Sequence, residues 1–240
     1  MSEFVRTLAA PSLRLSEVFR SIQGEGELAG TDSLFVRTIG CNLRCRWCDT
    51  PYTSHAPERG ERVAVDDLAE RILNEDCEHV VLTGGEPLLT PGVVPLTEAL
   101  RAAGRHVTIE TAGTVFRPVA ADLISLSPKL SNSTPDGRWA ARHEATRDAP
   151  AVVARLLSEF DYQLKFVVEG PGDLPEIERW LADHNVGRDA GRSRVFLMPQ
   201  ARTAAEYERL APRVRALAEA LGFRFGPRLH VARWGDRRGV

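Results

Sequence analysis

A buried strand followed at once by three cysteines is the most informative part of the chain. Residues 34–50 have the sequence LFVRTIGCNLRCRWCDT. The run at 34–39 is short and rich in branched apolar residues, which predicts a buried strand. Cys41, Cys45 and Cys48 follow it with the spacing C-x3-C-x2-C. Thiolates are soft ligands that suit zinc or an iron–sulfur cluster, and three of them on a short loop would leave one metal position open.

Five further apolar runs extend this pattern along the chain. Helical patterns separate several of them, and alternating strands and helices predict a parallel sheet with right-handed crossovers. We therefore expect an α/β fold, a partial (open) TIM-like barrel of about six βα units. The predicted strands are residues 34–39, 80–83, 107–110, 123–126, 163–168 and 195–198.

Helices are predicted where apolar residues recur at helical spacing. The last of these helices begins at a capping-box pair, Thr203 and Glu206, and contains Pro212, which should kink or divide it. Residues 131–149 show no clear period and are predicted to be a loop with room for a helical turn. The other predicted helices are residues 65–73, 95–103 and 174–181, and two additional strands are predicted at 13–19 and 224–231.

Length and composition favour one domain over the 240 residues. We expect a strand extension at 1–32 and a C-terminal strand and tail at 223–240. No apolar run approaches the ~20 residues that span a bilayer, and no signal peptide is evident, so we expect a cytoplasmic protein without a membrane partner. The formal net charge of −2 provides no basic field for nucleic acid. A small-molecule substrate is therefore expected.

Polar and glycine-rich clusters follow five of the predicted strands. In parallel sheets and barrels, functional sites form at the carboxyl ends of the strands. Five clusters at that end therefore predict one convergent site. They are residues 41–50, 83–87, 110–111, 127–129 and 199–200.

Two of these clusters resemble the radical S-adenosylmethionine (SAM) superfamily. The cysteine motif, with an aromatic residue before its last cysteine, is similar to the superfamily's cluster-binding signature, and Gly84-Gly85-Glu86-Pro87 is similar to its GGEP motif. The resemblance implies that Cys41, Cys45 and Cys48 hold a [4Fe–4S] cluster whose fourth iron binds SAM. Reductive cleavage of SAM would then give a 5'-deoxyadenosyl radical. The expected SAM contacts are Trp47, Cys48, Asp49, Gly84, Gly85, Glu86, Ser127, Pro128 and Lys129, with Gln200 added from its position alone.

Further segments resemble the 7-carboxy-7-deazaguanine synthase family of that superfamily. The most diagnostic are Ile22-Gln-Gly-Glu-Gly26 before the cysteine loop and Asp49-Thr50 directly after it, and the resemblance runs from residue 15 to 235. It implies conversion of 6-carboxy-5,6,7,8-tetrahydropterin to 7-carboxy-7-deazaguanine, with loss of ammonia, as a step towards queuosine and other 7-deazapurines. It also implies Mg2+, a homodimer, and an electron donor such as flavodoxin or ferredoxin.

The side-chain chemistry agrees with binding of a pterin. Gln23 offers donors and acceptors, Glu25 accepts from an N–H group, and Arg37 can pair with a carboxylate as a fork. Mg2+ takes few protein ligands, and the hydroxyl of Thr50 is the expected one. The expected substrate contacts are Ile22, Gln23, Gly24, Glu25, Arg37, Thr83, Glu110 and His230.

Each signal also has a plainer interpretation. The glycine pair could form an ordinary strand-to-helix turn, Thr50 could cap a turn, and Arg37 could form an ion pair. A structural zinc site would need a fourth ligand such as Cys77, which otherwise packs as a free thiol. For the whole chain, the alternatives are a glycyl-radical-enzyme activase of the same superfamily and a noncatalytic iron–sulfur or zinc module. The basic tail at 235–240 has no assigned role.

Overall fold

The computed structural model describes residues 10–57, 60–187 and 191–240, and within these ranges the strands form one sheet. The first nine residues of the predicted N-terminal extension lie outside the described residues. The strands are β1 (Ser12–Ile22), β2 (Asp32–Thr38), β3 (Glu61–Ala64), β4 (His79–Gly84), β5 (His106–Thr111), β6 (Leu123–Leu126), β7 (Tyr162–Val168), β8 (Val195–Pro199) and β9 (Arg224–Phe225).

The sheet is open and mostly parallel, with the strand order β3-β1-β2-β4-β5-β6-β7-β8-β9. From β2 onward, neighbouring strands in the order run parallel, while β1 pairs antiparallel with both β2 and β3. All six predicted core strands and the additional strand at 13–19 are present. Two free edges, β3 and β9, agree with the predicted partial barrel. β3 was not predicted.

The helices cover the parallel strands and bury their apolar faces against the sheet. The predictions at 65–73, 95–103 and 174–181 are confirmed within two residues. The capping box is also confirmed, because the N–H of Glu206 donates to Thr203 Oγ1 at 3.2 Å and the N–H of Thr203 donates to Glu206 Oε2 at 3.1 Å. The helices are α1 (Val65–Leu73), α2 (Val93–Ala102), α3 (Ala140–Thr146), α4 (Pro150–Glu159), α5 (Leu174–Asp183), α6 (Ala204–Ala220) and α7 (Leu229–Trp234).

Two local predictions are wrong, and one half of a third is excluded. The strand predicted at 224–231 ends at Phe225, because Gly226 and Pro227 follow and a proline has no N–H for the ladder. The N–H of Leu229 then donates to Gly24 O at 2.9 Å, and the chain enters α7. The predicted loop at 131–149 contains two 3-10 turns and α3. Pro212 was predicted to kink or divide its helix, and the division is excluded because α6 is continuous over Ala204–Ala220. Pro212 is exposed, so the carbonyl that its missing N–H leaves unbonded can be hydrated.

The fourth cysteine, Cys77, lies at the opposite end of the barrel from the cysteine loop. Cys77 is buried at the amino ends of the strands, where its thiol lies 3.3 Å from His79 O and 3.6 Å from Asp32 O. It is therefore far from the cysteine loop at the carboxyl end of β2. Among the described residues, the helices are all too short or too polar to cross a membrane.

Candidate active site

A cavity of about 470 Å³ occupies the carboxyl end of the barrel. Four of the five polar clusters predicted to converge contribute to its wall. The predicted site residues that line it are Ile22, Gln23, Gly24, Glu25, Arg37, Cys41, Cys45, Trp47, Cys48, Asp49, Thr50, Thr83, Gly84, Gly85, Glu110, Ser127, Lys129 and His230.

Three predicted SAM contacts, Glu86, Pro128 and Gln200, do not line the cavity. Glu86 is fully buried, and both of its oxygens have protein partners. One accepts from the N–H of Leu88 and the hydroxyl of Thr111, and the other accepts from the N–H of Ala112 at 2.9 Å. Glu86 therefore ties the end of β4 to the segment that follows β5.

The cysteine loop, residues 41–50, is fixed by contacts with the segment before and within α3. Nδ1 of the buried His143 accepts from the N–H of Arg44 at 3.1 Å, and its Nε2 lies 2.9 Å from Ser133 Oγ. Because the Ser133 hydroxyl donates to Leu130 O at 2.6 Å, the proton of the neutral imidazole lies on Nε2. The indole N–H of Trp47 donates to Asn132 O at 3.0 Å. The loop conformation is thus set by the protein.

The three thiols suit a cluster better than a single ion. All three line the cavity, and burial raises the pKa of Cys41 to about 11 and that of Cys45 to about 12. Burial also raises the pKa of Cys48. A single zinc ion in a structural site would need a fourth protein ligand, whereas three thiolates on one short loop are a sufficient protein donor set for a four-iron cluster with one open position.

The glycine pair is required by packing against the cysteine loop. Gly84 has φ +139, and a Cβ atom there would lie 2.4 Å from Thr38 O. A Cβ atom on Gly85 would lie 2.1 Å from Gly40 O and 3.0 Å from Cys41 Cβ. Because only glycine permits this approach, the pair sets the distance between β4 and the first cysteine.

Lys129 stands beside the cysteines. Its ammonium donates to Ser127 O at 2.8 Å and to Ser127 Oγ at 2.7 Å, and it lies 5.8 Å from the centre of the Trp47 ring. This arrangement places one positive charge in the wall that carries the thiols. Burial raises the pKa of all three thiols, and the charge of Lys129 opposes that rise.

Thr50 lies at the start of a 3-10 turn formed by residues 51–53. Its side chain makes no capping hydrogen bond, and its hydroxyl lies 3.8 Å from Cys48 Sγ. The hydroxyl therefore does not cap the turn, and Thr50 is one of the residues that line the cavity.

The loop after β1 closes the barrel from the opposite side. Because β1 is antiparallel to β2, Ile22 pairs with Asp32 at the amino end of β2. From there the chain enters the barrel, and a Cβ atom on Gly26 would lie only 2.4 Å from the Gln163 side chain. Gln23 points inward, and its Nε2 donates to Glu110 Oε1 at 3.3 Å. The predicted substrate contacts at residues 22–25 therefore form the floor of the cavity.

Five charged side chains meet at this floor, and we call them the floor cluster: Glu25, Asp49, Glu110, Lys165 and Arg228. Lys165 donates to Glu25 at 2.8 Å and to Glu110 at 3.2 Å. Arg228 donates to Glu25 at 3.1 Å and to Asp49 at 2.6 Å. The two cations are almost completely buried, with 3% and 6% of their side chains exposed. Three carboxylates thus face two cations.

The floor cluster favours the charged forms of Glu25, Asp49 and Lys165. Burial alone would raise the pKa of Glu25, but Lys165 and Arg228 outweigh burial and hold it well below its usual range. Burial opposes the charge of Lys165, yet Glu110 and Glu25 raise its pKa above the usual range. Arg228 likewise holds the pKa of Asp49 below the usual value for a carboxyl.

Lys165 and Arg228 were not predicted from the sequence. Lys165 is a charged residue inside the apolar run of β7, and that mismatch was the available signal. Arg228 lies in a Gly-Pro-containing turn and carried no comparable signal. His230 contacts the same cluster, 3.8 Å from Glu25, and burial lowers its pKa, so that the neutral form prevails. A Cβ atom on Gly24 would lie 2.2 Å from His230 Nδ1, which explains that glycine.

The remaining wall joins Arg37 to the C-terminal tail. Arg37 donates to Glu17 at 2.8 Å, so its ion-pair interpretation is correct, although it also lines the cavity. Tyr52 donates to the same oxygen of Glu17 at 3.0 Å, and Arg238 donates to the other oxygen at 3.1 Å. Residues 235–240 line the cavity. Glu17 therefore links Arg37 to the tail.

The chain is similar to known proteins along most of its length. Residues 35–131 match the model of the radical SAM superfamily. The 7-carboxy-7-deazaguanine synthase of Halobacterium salinarum is 48% identical over 236 residues, which cover 94% of this chain and 92% of that protein. The Rhodopirellula baltica protein of the same name is 45% identical and covers 95% of this chain and 89% of the relative.

Structural similarity supports the same fold. The crystal structure of QueE from Escherichia coli superposes with a TM-score of 0.66 at 24% identity, covering 90% of this chain and 93% of that one. Identity at this level supports the fold alone, whereas the two sequence relatives identify the family. The chain belongs to the 7-carboxy-7-deazaguanine synthase family of the radical SAM superfamily.

Proposed function

We propose that this protein is a radical SAM lyase that converts 6-carboxy-5,6,7,8-tetrahydropterin to 7-carboxy-7-deazaguanine with loss of ammonia. The observation that carries the proposal is one cavity in which three thiols face a floor of paired charges. Its volume of about 470 Å³ falls within the usual range for small-molecule sites. The relatives that share the chain's length have this activity in their names.

One wall of the cavity serves the cofactors. A [4Fe–4S] cluster with SAM supplies the electron and the 5'-deoxyadenosyl radical that begin the reaction. Cys41, Cys45 and Cys48 hold the cluster, and the Lys129 ammonium offsets part of the negative charge of the thiolates. Trp47, Asp49, Gly84, Gly85 and Ser127 form the adjacent wall where SAM would bind.

The floor serves the pterin. Each oxygen of Glu25 already accepts one hydrogen bond from the protein, which leaves lone pairs for N–H donors of the substrate. The negative charge left over in the floor cluster favours such donors over acceptors. Lys165 and Arg228 hold the Glu25 carboxylate in a fixed orientation, which reduces the reorganisation needed on binding. The other residues of the substrate side are Ile22, Thr83 and Glu110. Neutral His230 can donate or accept a hydrogen bond there.

Arg37 and Thr50 serve the polar end of the substrate. The Arg37 guanidinium uses Nε for Glu17, and its terminal nitrogens are the groups that would meet the substrate carboxylate. We propose the Thr50 hydroxyl as the protein ligand of Mg2+, whose other ligands would be water and substrate oxygens. The family resemblance adds three further parts to the proposal: a homodimer, a cytoplasmic location, and reduction by a flavodoxin or ferredoxin.

The reaction is tested anaerobically with protein reconstituted with iron and sulfide. Dithionite, SAM, Mg2+ and 6-carboxytetrahydropterin are added, and products are followed by mass spectrometry. We expect 7-carboxy-7-deazaguanine. Formation of 5'-deoxyadenosine without that product would contradict the substrate, and an intact cluster that does not cleave SAM would contradict the enzyme class.

The Mg2+ site is tested with Thr50→Val, which removes the oxygen and keeps the shape. We expect the concentration of Mg2+ needed for half-maximal turnover to rise, while the iron content stays unchanged. Thr146→Val is the matched control, because the Thr146 hydroxyl donates to Arg142 O at 2.8 Å and Thr146 does not line the cavity. Equal Mg2+ requirements in the two variants would remove Thr50 from the site.

A further inference from the structure

Three arginines surround one tryptophan on the surface beside the cysteine loop. The guanidinium carbons of Arg44, Arg138 and Arg142 lie 5.0, 5.4 and 5.8 Å from the centre of the Trp139 ring. Each other aromatic ring with such a contact, in the part of the chain that is described, has a single cation. We call these four residues the Trp139 patch.

The patch carries positive charge that the described protein does not neutralise. Neighbouring Arg46 and Arg147 pair with Glu169 and Glu144, whereas none of the three patch arginines forms an ion pair with a described residue. Arg138 and Arg142 are exposed, and Trp139 is half-buried. Like charges held this close repel each other, and an acidic partner would relieve that repulsion. Tryptophan and arginine are also the residues that most often dominate protein interfaces.

The patch is in direct contact with the cysteine loop. A terminal nitrogen of Arg44 donates to Cys41 O at 2.8 Å and to Leu43 O at 2.7 Å, while its guanidinium packs over Trp139. Arg142 and His143 are adjacent on α3, and His143 accepts from the Arg44 N–H. The Arg44 side chain therefore reaches from the surface to the first cysteine. The patch lies outside the cavity, because none of its four residues lines it.

We propose that the Trp139 patch is the docking surface for a small acidic protein that carries one electron. This rests on the proposed function, because a radical SAM cluster must be reduced from outside while the cavity is filled by SAM and substrate. The reduced carrier loses one electron and the oxidised cluster gains it, with no bond made or broken. Electron transfer falls steeply with distance, and Arg44 gives the short route. The protein's net charge of −2 shows that the positive patch is local.

The test uses Arg138→Glu with Arg142→Glu, two exposed positions four residues apart. The matched control is Arg209→Glu with Arg213→Glu, which has the same spacing and charge change on the exposed surface of α6. Binding of an acidic flavodoxin to the apoprotein is measured by calorimetry at low and high salt. Turnover of the reconstituted protein is then measured with reduced flavodoxin and, separately, with dithionite.

We expect the patch variant to weaken flavodoxin binding and to slow flavodoxin-driven turnover by about tenfold or more at low salt, since charge complementarity acts mainly on association. Dithionite-driven turnover should match that of the control, which also establishes that the variant is folded. Equal flavodoxin binding by the patch and control variants would overturn the docking proposal. So would preferential, patch-dependent binding of a single-stranded oligonucleotide. Failure of the wild type to form product with dithionite would instead overturn the proposed function. The binding measurement uses apoprotein and is independent of that outcome.

Discussion

The two walls of the cavity are assembled in different ways. The cysteine loop is one continuous segment, whose three thiols lie within eight positions of each other. The floor cluster gathers residues from distant parts of the chain, and Glu25 and Arg228 are 203 positions apart. The loop can bind its cofactor as long as its own local conformation is preserved. The floor exists only if the whole sheet closes correctly. Substitutions in the two walls should therefore separate loss of the cofactor from loss of the fold.

The largest effect is expected from Cys45→Ala in the cysteine loop. The variant should lose bound iron and all product formation, because two thiolates cannot replace three. Its apoprotein should lose only about 1 kcal/mol of unfolding free energy, as for a typical substitution. Iron analysis and urea unfolding measure the two quantities. Cys77→Ala is the control, a buried thiol outside the cavity, and it should retain iron. A Cys45→Ala protein with full iron content would remove Cys45 from the ligand set.

Lys165→Met should give the opposite result in the floor. It leaves Glu25 and Glu110 without their shared cation, and breaking a buried ion pair costs about 3–5 kcal/mol of unfolding free energy. The reconstituted variant should retain iron if it is kept cold and folded. Urea unfolding of Lys165→Met and of Lys165→Met with Glu110→Gln forms the comparison. The second substitution should recover part of the loss, because it removes an unpaired charge. Independent, additive effects would argue against the cluster.

His143→Ala should produce a smaller effect that is specific to the cysteine loop. It removes the acceptor of the Arg44 N–H and should cost about 1–3 kcal/mol. Hydrogen exchange at the Arg44 amide of the apoprotein should become faster. His143→Asn supplies an oxygen close to the position of Nδ1 and should restore slower exchange. If both variants exchange at the wild-type rate, the histidine does not fix the loop.

The smallest effect is expected where the tail meets the cavity wall. Arg238→Ala removes a partly exposed partner of Glu17, an interaction of about 0–1 kcal/mol. The KM for the pterin should rise about two- to fivefold with little change in kcat, because Arg37 loses a fixed neighbour. Arg237→Ala is the adjacent control. Equal KM values for the two variants would separate the tail from Arg37.

Prediction from the sequence succeeded where the evidence was local. The six core strands, the capping box at Thr203 and the cysteine loop all depend on residues close together in the chain. The strand prediction at 224–231 failed beyond Phe225. Gly226 and Pro227 interrupt the segment after Phe225, and the bond from the Leu229 N–H to Gly24 O, more than 200 positions away, then fixes the start of α7. The glycine pair was identified, yet its steric reason required the position of Gly40.

The sequence by itself determined the type of cofactor chemistry and the end of the barrel that carries it. Cysteine spacing and strand periodicity are short-range properties, so they can be recognised without knowledge of the fold. Only the tertiary structure decided that the loop after β1 enters from the amino end, that Lys165 and Arg228 pair with the carboxylates of the floor, and that three arginines converge on Trp139. Those arrangements depend on which distant segments become neighbours. A buried charge is tolerated only when such a neighbour is in place, and its partner is fixed by the closure of the sheet.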